Sequence, residues 1–178
     1  TTTHGAWREE TGSHWVGRGS IRMGSLDGGP ANGSAELLYQ YLSEASLNPE
    51  WDLDIQRSIW TKLLVNVAIN PICSIAGVRN GALLESTYLW DQALSAMSEA
   101  SSVAQACGVD LGDLDLEELL REVAKSTADN RCSMLQDLMS GRKTEIESIC
   151  GAIVSKGEDT GIPTPRNSML LALVKGIE

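Results

Sequence analysis

Phenylalanine is absent from the 178 residues, so aromatic packing falls to five Trp and three Tyr. Histidine occurs only as His4 and His14, ten residues apart in a strand-rich stretch where structural roles suit both. The four cysteines, Cys73, Cys107, Cys132 and Cys150, are widely spaced. They form no C-x-x-C and have no neighbouring His pattern, which argues against a zinc site and leaves free thiols in a reducing cytoplasm as the default. Basic residues are outnumbered 14 to 24, giving a net charge of −10. That balance argues against nucleic acid or an anionic membrane surface as a partner. The longest apolar run, near Leu63–Ile69, is too short to span a bilayer. The chain opens with Thr1-Thr2-Thr3-His4, without Met or the basic and apolar regions of a signal peptide. It reads as a cut inside a longer protein. No internal repeat is visible.

What is present is a foldable chain, 42% hydrophobic and long enough for a core. Residues 1–26 differ from the rest. Ala6–Glu10, Ser13–Gly17 and Ser20–Gly24 read as short strands, the first two joined through Thr11-Gly12. Asp27–Gly33 is a loop by composition. Beyond it the pattern is helical. Ser34 can cap a helix to about Ala45, and Asn48–Asp54 reads as a connection. Helices are expected over Ile55–Gly77, Ser86–Cys107 and from Asp113 or Asp115 to Ser126. Another covers Asp129–Met139, with Gly108 and Gly141 as stops. Thr144 and Glu147 have capping-box spacing for the next helix, which Gly161 closes, and Thr164-Pro165 opens the last. The acidic cluster from Asp110 to Glu118 lacks the Gly and closing Glu of a calcium loop and suits a solvated helix N-terminus.

The most informative segment is Trp60–Pro71. Lys62 is the only charged residue between Arg57 and Arg79. Lys62, Asn66 and Asn70 recur every fourth residue, and a helix drifts only about 40° over that interval. They therefore share one polar stripe on an apolar helix; each alone could be a snorkelling Lys or an Asn that caps or bridges helices, but three in register beside a Pro favour a use for them. Pro71 removes a backbone donor and crowds the carbonyl of Val67, so a kink or break is expected near Asn70.

Trp60-Thr61-Lys62-Leu63…Asn66…Asn70-Pro71 resembles a helix of the ketopantoate (2-dehydropantoate) 2-reductases. Ser133-Met134-Leu135-Gln136-Asp137, Gly141–Ile146 and Gly161-Ile162-Pro163-Thr164-Pro165 with Asn167 are similar to later motifs of that family. Thr3-His4-Gly5-Ala6 and Gly17-Arg18-Gly19 resemble the last strands of its nucleotide-binding domain. The resemblance implies a mainly α fold. It would be a helical C-terminal domain of the 6-phosphogluconate dehydrogenase-like type over 27–178, with a small β remnant of a Rossmann domain over 1–26. It also implies roles: Lys62 as proton donor, Asn66, Asn70, Asn80 and Ser133 as substrate ligands, and Glu145 as a cofactor contact. Taken alone, Asn80-Gly81 is also a turn pair, Ser133 to Gln136 a capping-box spacing, and Glu145 a favoured acid in a first helical turn.

The activity so implied is NADPH-dependent reduction of ketopantoate to pantoate, in pantothenate and coenzyme A biosynthesis, in the cytoplasm. Burial would lower the pKa of Lys62, and the substrate carboxylate and Glu145 would raise it. No strand–GxGxxG–helix unit occurs in the chain, so the NADP phosphates are expected to need a missing N-terminal Rossmann domain. Expected partners are thus a small 2-oxo acid, that domain and, in a homodimer, a second copy. Two alternatives stay open: a reductase of another 2-oxo acid, and a non-catalytic helical dimerisation domain.

Overall fold

The computed structural model describes every residue except Glu10, where the first strand was expected to end. The chain divides into two compact units, Thr1–Ile59 and Trp60–Glu178. That division lies in the first turns of a long helix rather than at residue 26, where the composition changes.

In the first unit β1 (Gly5–Glu9) and β2 (Gly12–Gly17) form the expected antiparallel hairpin. β3 (Ile21–Met23) does not join it. After α1 (Gly33–Glu44) the chain returns in β4 (Pro49–Trp51), which pairs parallel with β3 in the register Ile21↔Pro49, Arg22↔Glu50, Met23↔Trp51. The segment expected to be a mere connection is therefore the second strand of a β-α-β crossover. Parallel strands need such a crossover, and its pairing is set by residues far apart in sequence. His4 ties the unit together. Its Nδ1 accepts from Gly19 N at 3.0 Å, which leaves Nε2–H to donate to the Leu47 carbonyl at 2.9 Å.

The second unit is helical. The helix α2 (Ile55–Ala76) buries Trp60, Leu64, Val67 and Ala68 at i, i+4, i+7 and i+8. From 67 to 74 every residue is buried, so its second half lies inside the core. The expected break at Pro71 does not occur, and α2 runs on to Ala76. An interior Pro costs about 3 kcal/mol. Here the ring is fully buried, and the packing of its neighbours outweighs that cost. With a 22-residue length and a most apolar window of mean hydropathy 1.4, α2 is long and apolar enough to cross a membrane. The run bounded at Leu63–Ile69 understated this. In the fold that apolar surface is largely taken up by the core.

After the short α3 (Ala82–Glu85), α4 (Thr87–Ala106) is capped by Ser86, whose side chain accepts from Leu89 N at 3.4 Å. Its buried face is Ala93, Ala96, Met97, Ala100, Ser101, Val103 and Ala104. Small side chains let neighbouring helices come close, and α4 packs on α3, on α5 (Leu116–Ser126), on α7 (Ala152–Thr160) and on α8 (Pro165–Ile177). Gly108 and Gly161 end α4 and α7 in left-handed conformation, φ 80° and 73°. Asp115 Oδ1 caps α5 by accepting from Glu118 N at 2.9 Å, so the acidic cluster begins a helix as expected.

Three helix starts differ from expectation. α6 is Ser133–Met139, not Asp129–Met139. Residues 128 and 130 instead give their carbonyls to the loop at 80–81: Gly81 N donates to Ala128 O and Asn80 N to Asn130 O, both at 3.0 Å. The Thr144–Glu147 capping box does not form. The Glu178 carboxylate accepts from Thr144 N at 2.8 Å, and Glu147 pairs with Lys175 at 2.8 Å. α1 begins at Gly33 after Asn32 rather than behind a Ser34 cap, with no side chain capping it.

Candidate functional site

Lys62, Asn66 and Asn70 lie one turn apart on α2, so successive residues are about 6 Å apart along the axis. Exposure falls along the row. Lys62 is exposed, Asn66 half-buried and Asn70 only 7% exposed, because α2 enters the core at Val67. The row carries its charge at the surface end and its amides inward. The burial expected of Lys62 does not occur.

The segment 127–133 reaches the inner end of this row through Cys132. Cys132 is buried against α2, where its Sγ donates to the Asn70 carbonyl at 3.5 Å and stands 3.4 Å from Ser74 Oγ. Ser133 follows as the exposed first residue of α6. It is not the cap of that helix, and Gln136 Nε2 donates to Arg131 O at 2.8 Å, so the capping-box role open to Ser133 is not taken. On the other side of the segment Asn80 is 6% exposed, and its Nδ2 donates to Thr127 Oγ1 at 3.0 Å. Thr127 has one hydroxyl proton, and it goes to the Val123 carbonyl at 2.7 Å. The atom facing Thr127 must therefore be a donor, which fixes the amide with Nδ2 there and Oδ1 away. That Oδ1 is buried with no hydrogen-bond partner among the described residues. A buried acceptor left unmatched costs about 1–3 kcal/mol, and a ligand donor would satisfy it.

Glu145 is not joined to this group. It is exposed just ahead of the π-helical turn Glu147–Gly151 that leads into α7, and its carbonyl accepts from Ile149 N at 3.0 Å. Its carboxylate has no hydrogen bond or ion pair among the described residues. A carboxylate accepts from hydroxyls and repels phosphate, so Glu145 suits the sugar of a dinucleotide and not its phosphates. The glycine-rich loop Gly24–Gly33 between β3 and α1 is poorly suited to phosphate. Asp27 and Glu36 put negative charge there, and Asp27 Oδ1 occupies Gly29 N at 3.2 Å.

The profile of the ketopantoate reductase PanE/ApbA C-terminal family matches residues 54–178, which include all six of these positions. The chain belongs to the ketopantoate reductase family. It is 41% identical to a 2-dehydropantoate 2-reductase of Archaeoglobus fulgidus, over 99% of this chain and 59% of that protein. It is 36% identical to one of Vibrio cholerae, over 100% of this chain and 60% of the relative. Among solved structures, a PanE/ApbA family ketopantoate reductase of Ralstonia eutropha superposes with a TM-score of 0.86 at 28% identity, over 99% of this chain and 57% of that one. A D-mandelate dehydrogenase in complex with NADH and anilino(oxo)acetate gives 0.84 at 28% identity, over 99% and 58%. The chain thus spans about three-fifths of the length of the relatives it matches.

Two residues that touch the candidate site residues were not foreseen from sequence. Thr127 and Cys132 carry no motif and act through what they touch. The available signal was indirect. A buried Asn needs partners for its amide, and a Thr at a helix end has a carbonyl four residues back to hold its own proton.

Proposed function

We propose that this chain supplies the substrate side of an NADPH-dependent reductase that converts 2-dehydropantoate to pantoate. The row on α2, with a cation at its surface end, amides inward and the Asn70 carbonyl bonded to Cys132, the neighbour of Ser133, is the observation that supports this reading. A protonated Lys62 hydrogen-bonds the ketone oxygen of the 2-oxo acid. As alkoxide charge develops on that oxygen, the ammonium delivers a proton to it and is reprotonated from solvent. Asn66, Asn70, Asn80 and Ser133 hold the carboxylate and hydroxyl of the substrate with neutral donors and acceptors, adding no charge against Lys62. A reduced nicotinamide, when bound, supplies the hydride to the carbonyl carbon. Glu145 would hold that cofactor by accepting from a sugar hydroxyl.

The test is Lys62→Ala in the enzyme at its full encoded length, assayed with ketopantoate and NADPH. A fall in kcat/KM of roughly 10²- to 10⁴-fold is expected for a lost general acid, and near-normal turnover at neutral pH would sink the assignment. The D-mandelate dehydrogenase neighbour favours a second reading, reduction of a different 2-oxo acid by the same residues. A panel of branched and linear 2-oxo acids separates the two by kcat/KM.

A further inference from the structure

Thr127 stands at the end of α5 and not on α2, yet it decides which atom Asn80 can offer. We propose that Thr127 is a positioning residue for substrate binding, one that holds the Asn80 carbonyl oxygen toward a hydrogen-bond donor of the ligand; this rests on the function proposed above. The geometry carries it in three steps. Thr127 ends α5, and its hydroxyl proton is spent on the Val123 carbonyl at 2.7 Å. Its oxygen can then only accept, so Asn80 turns Nδ2 toward it at 3.0 Å. The main chain of Asn80 is clamped on the same segment by the bonds from Asn80 N to Asn130 O and from Gly81 N to Ala128 O, so the side chain cannot answer by shifting as a whole. Oδ1 is left buried, without a donor among the described residues and unable to exchange places with Nδ2. A site built this way selects a ligand that brings an O–H or N–H to that oxygen. It discriminates against one that brings only acceptors, because the buried oxygen then stays unmatched.

Replacing Thr127 by Val keeps the shape but removes the acceptor, so Nδ2 loses its anchor and the amide can flip. By Ser the hydroxyl is kept. In the enzyme at full encoded length, with ketopantoate and NADPH, Thr127→Val is expected to raise KM roughly tenfold, the scale of one buried hydrogen bond. kcat should stay within about twofold, because the proton donor is elsewhere. Thr127→Ser should keep the original KM. In an Asn80→Ala background, Thr127→Val should add nothing further, since it acts only through that amide. A raised KM in Thr127→Ser would overturn the inference, whether or not Thr127→Val folds. Additive effects of Thr127→Val and Asn80→Ala would overturn it too, as would an unchanged KM in Thr127→Val. An unsubstituted enzyme with no reductase activity would instead overturn the functional reading, and this inference with it.

Discussion

Glu99 on α4 closes the N-terminus of α8 by gripping Asn167 twice. Glu99 Oε2 accepts from Asn167 N at 3.0 Å and from Asn167 Nδ2 at 2.9 Å, while Oε1 accepts from Arg166 N at 2.8 Å. α8 needs this help. Thr164 offers no side-chain cap, and Pro165 has no N–H to satisfy. Asn167 is fully buried, and its Nδ2 also donates to the Ala96 carbonyl at 3.0 Å, so one carboxylate joins α4 to α8 and offsets the positive end of the α8 dipole.

Removing that carboxylate leaves two backbone amides and half of a buried side-chain amide without an acceptor. Glu99→Ala is expected to destabilise the chain by about 2 kcal/mol or more, the sum of a lost cap and hydrogen bonds to a charged group. Glu99→Gln keeps one acceptor oxygen and should lose less. Urea unfolding followed by circular dichroism measures both, and equal stability of all three proteins would refute the cap.

The thiols should divide by burial. Cys107 is exposed, whereas Cys73, Cys132 and Cys150 are buried. Burial pushes the thiols of Cys73 and Cys150 up to about 12, with Cys132 adding to the first and Glu99 to the second. In the native protein a thiol reagent at pH 8 should modify Cys107 quickly and the others only on unfolding. The sign of the pH dependence follows. Both groups titrate near 9 when unfolded and near 12 when folded, so stability is intact below pH 9 and falls as pH rises from 9 toward 12. The urea midpoint should drop between pH 8 and pH 10.5, and Cys73→Ala with Cys150→Ala should flatten the drop.

At low pH Glu178 and Glu147 are sensitive groups of the second unit. The Thr144 hydroxyl, then its amide, holds the Glu178 carboxyl below the ordinary range, and the Lys175 ammonium does the same for Glu147. Carboxyls with depressed pKa values contribute stability above the unfolded value, near 4.5, and lose it as pH falls through the folded one. Thr144→Ala should return Glu178 toward an ordinary titration without moving Glu147 much. Carboxyl carbon shifts followed by NMR from pH 7 to pH 2 give both curves. An unmoved Glu178 would mean that Thr144 is not its main partner.

Much of this molecule was legible in one dimension because the information is local. Helical periodicity gave the long elements, and Gly108 and Gly161 marked their ends through a conformation other residues avoid. The row Lys62, Asn66, Asn70 was legible because four-residue spacing and helical geometry alone place it on one stripe. What escaped was set by distant residues. The strand β4 exists only because β3 lies across a helix from it, and the start of α6 is delayed because 128 and 130 are held by the loop at 80–81. Glu99 caps a helix to which it does not belong, in place of the Thr164 cap that spacing suggested, and Glu178 binds the Thr144 amide and hydroxyl where a Thr144–Glu147 box was expected. The depth of the row was equally hidden: no local pattern says that α2 dives into the core at Val67, leaving Lys62 outside and Asn70 within.

Gly81 carries the last prediction. As half of an Asn-Gly pair it reads as a turn residue, chosen for backbone freedom. Its φ of −61° needs no such freedom, since every residue adopts it. The requirement is space. A Cβ on Gly81 would stand 2.9 Å from Ala128 Cβ, 3.0 Å from Ala128 O and 3.1 Å from Ala128 Cα. These are backbone and near-backbone atoms that cannot swing away, and the bonds from Asn80 N and Gly81 N hold the two segments together. Gly81→Ala must therefore part the loop at 80–81 from the segment 127–130. That costs about 1–3 kcal/mol as overpacking, and it stretches the contact between Asn80 and Thr127 that fixes the amide. The variant should fold with a lowered melting temperature and a raised KM. Adding Ala128→Gly removes the closest methyl but not the carbonyl oxygen, so it should restore part of both losses. Normal stability and KM in Gly81→Ala would show that the segments can separate freely, and that the close approach at Ala128 does not hold Asn80 in place.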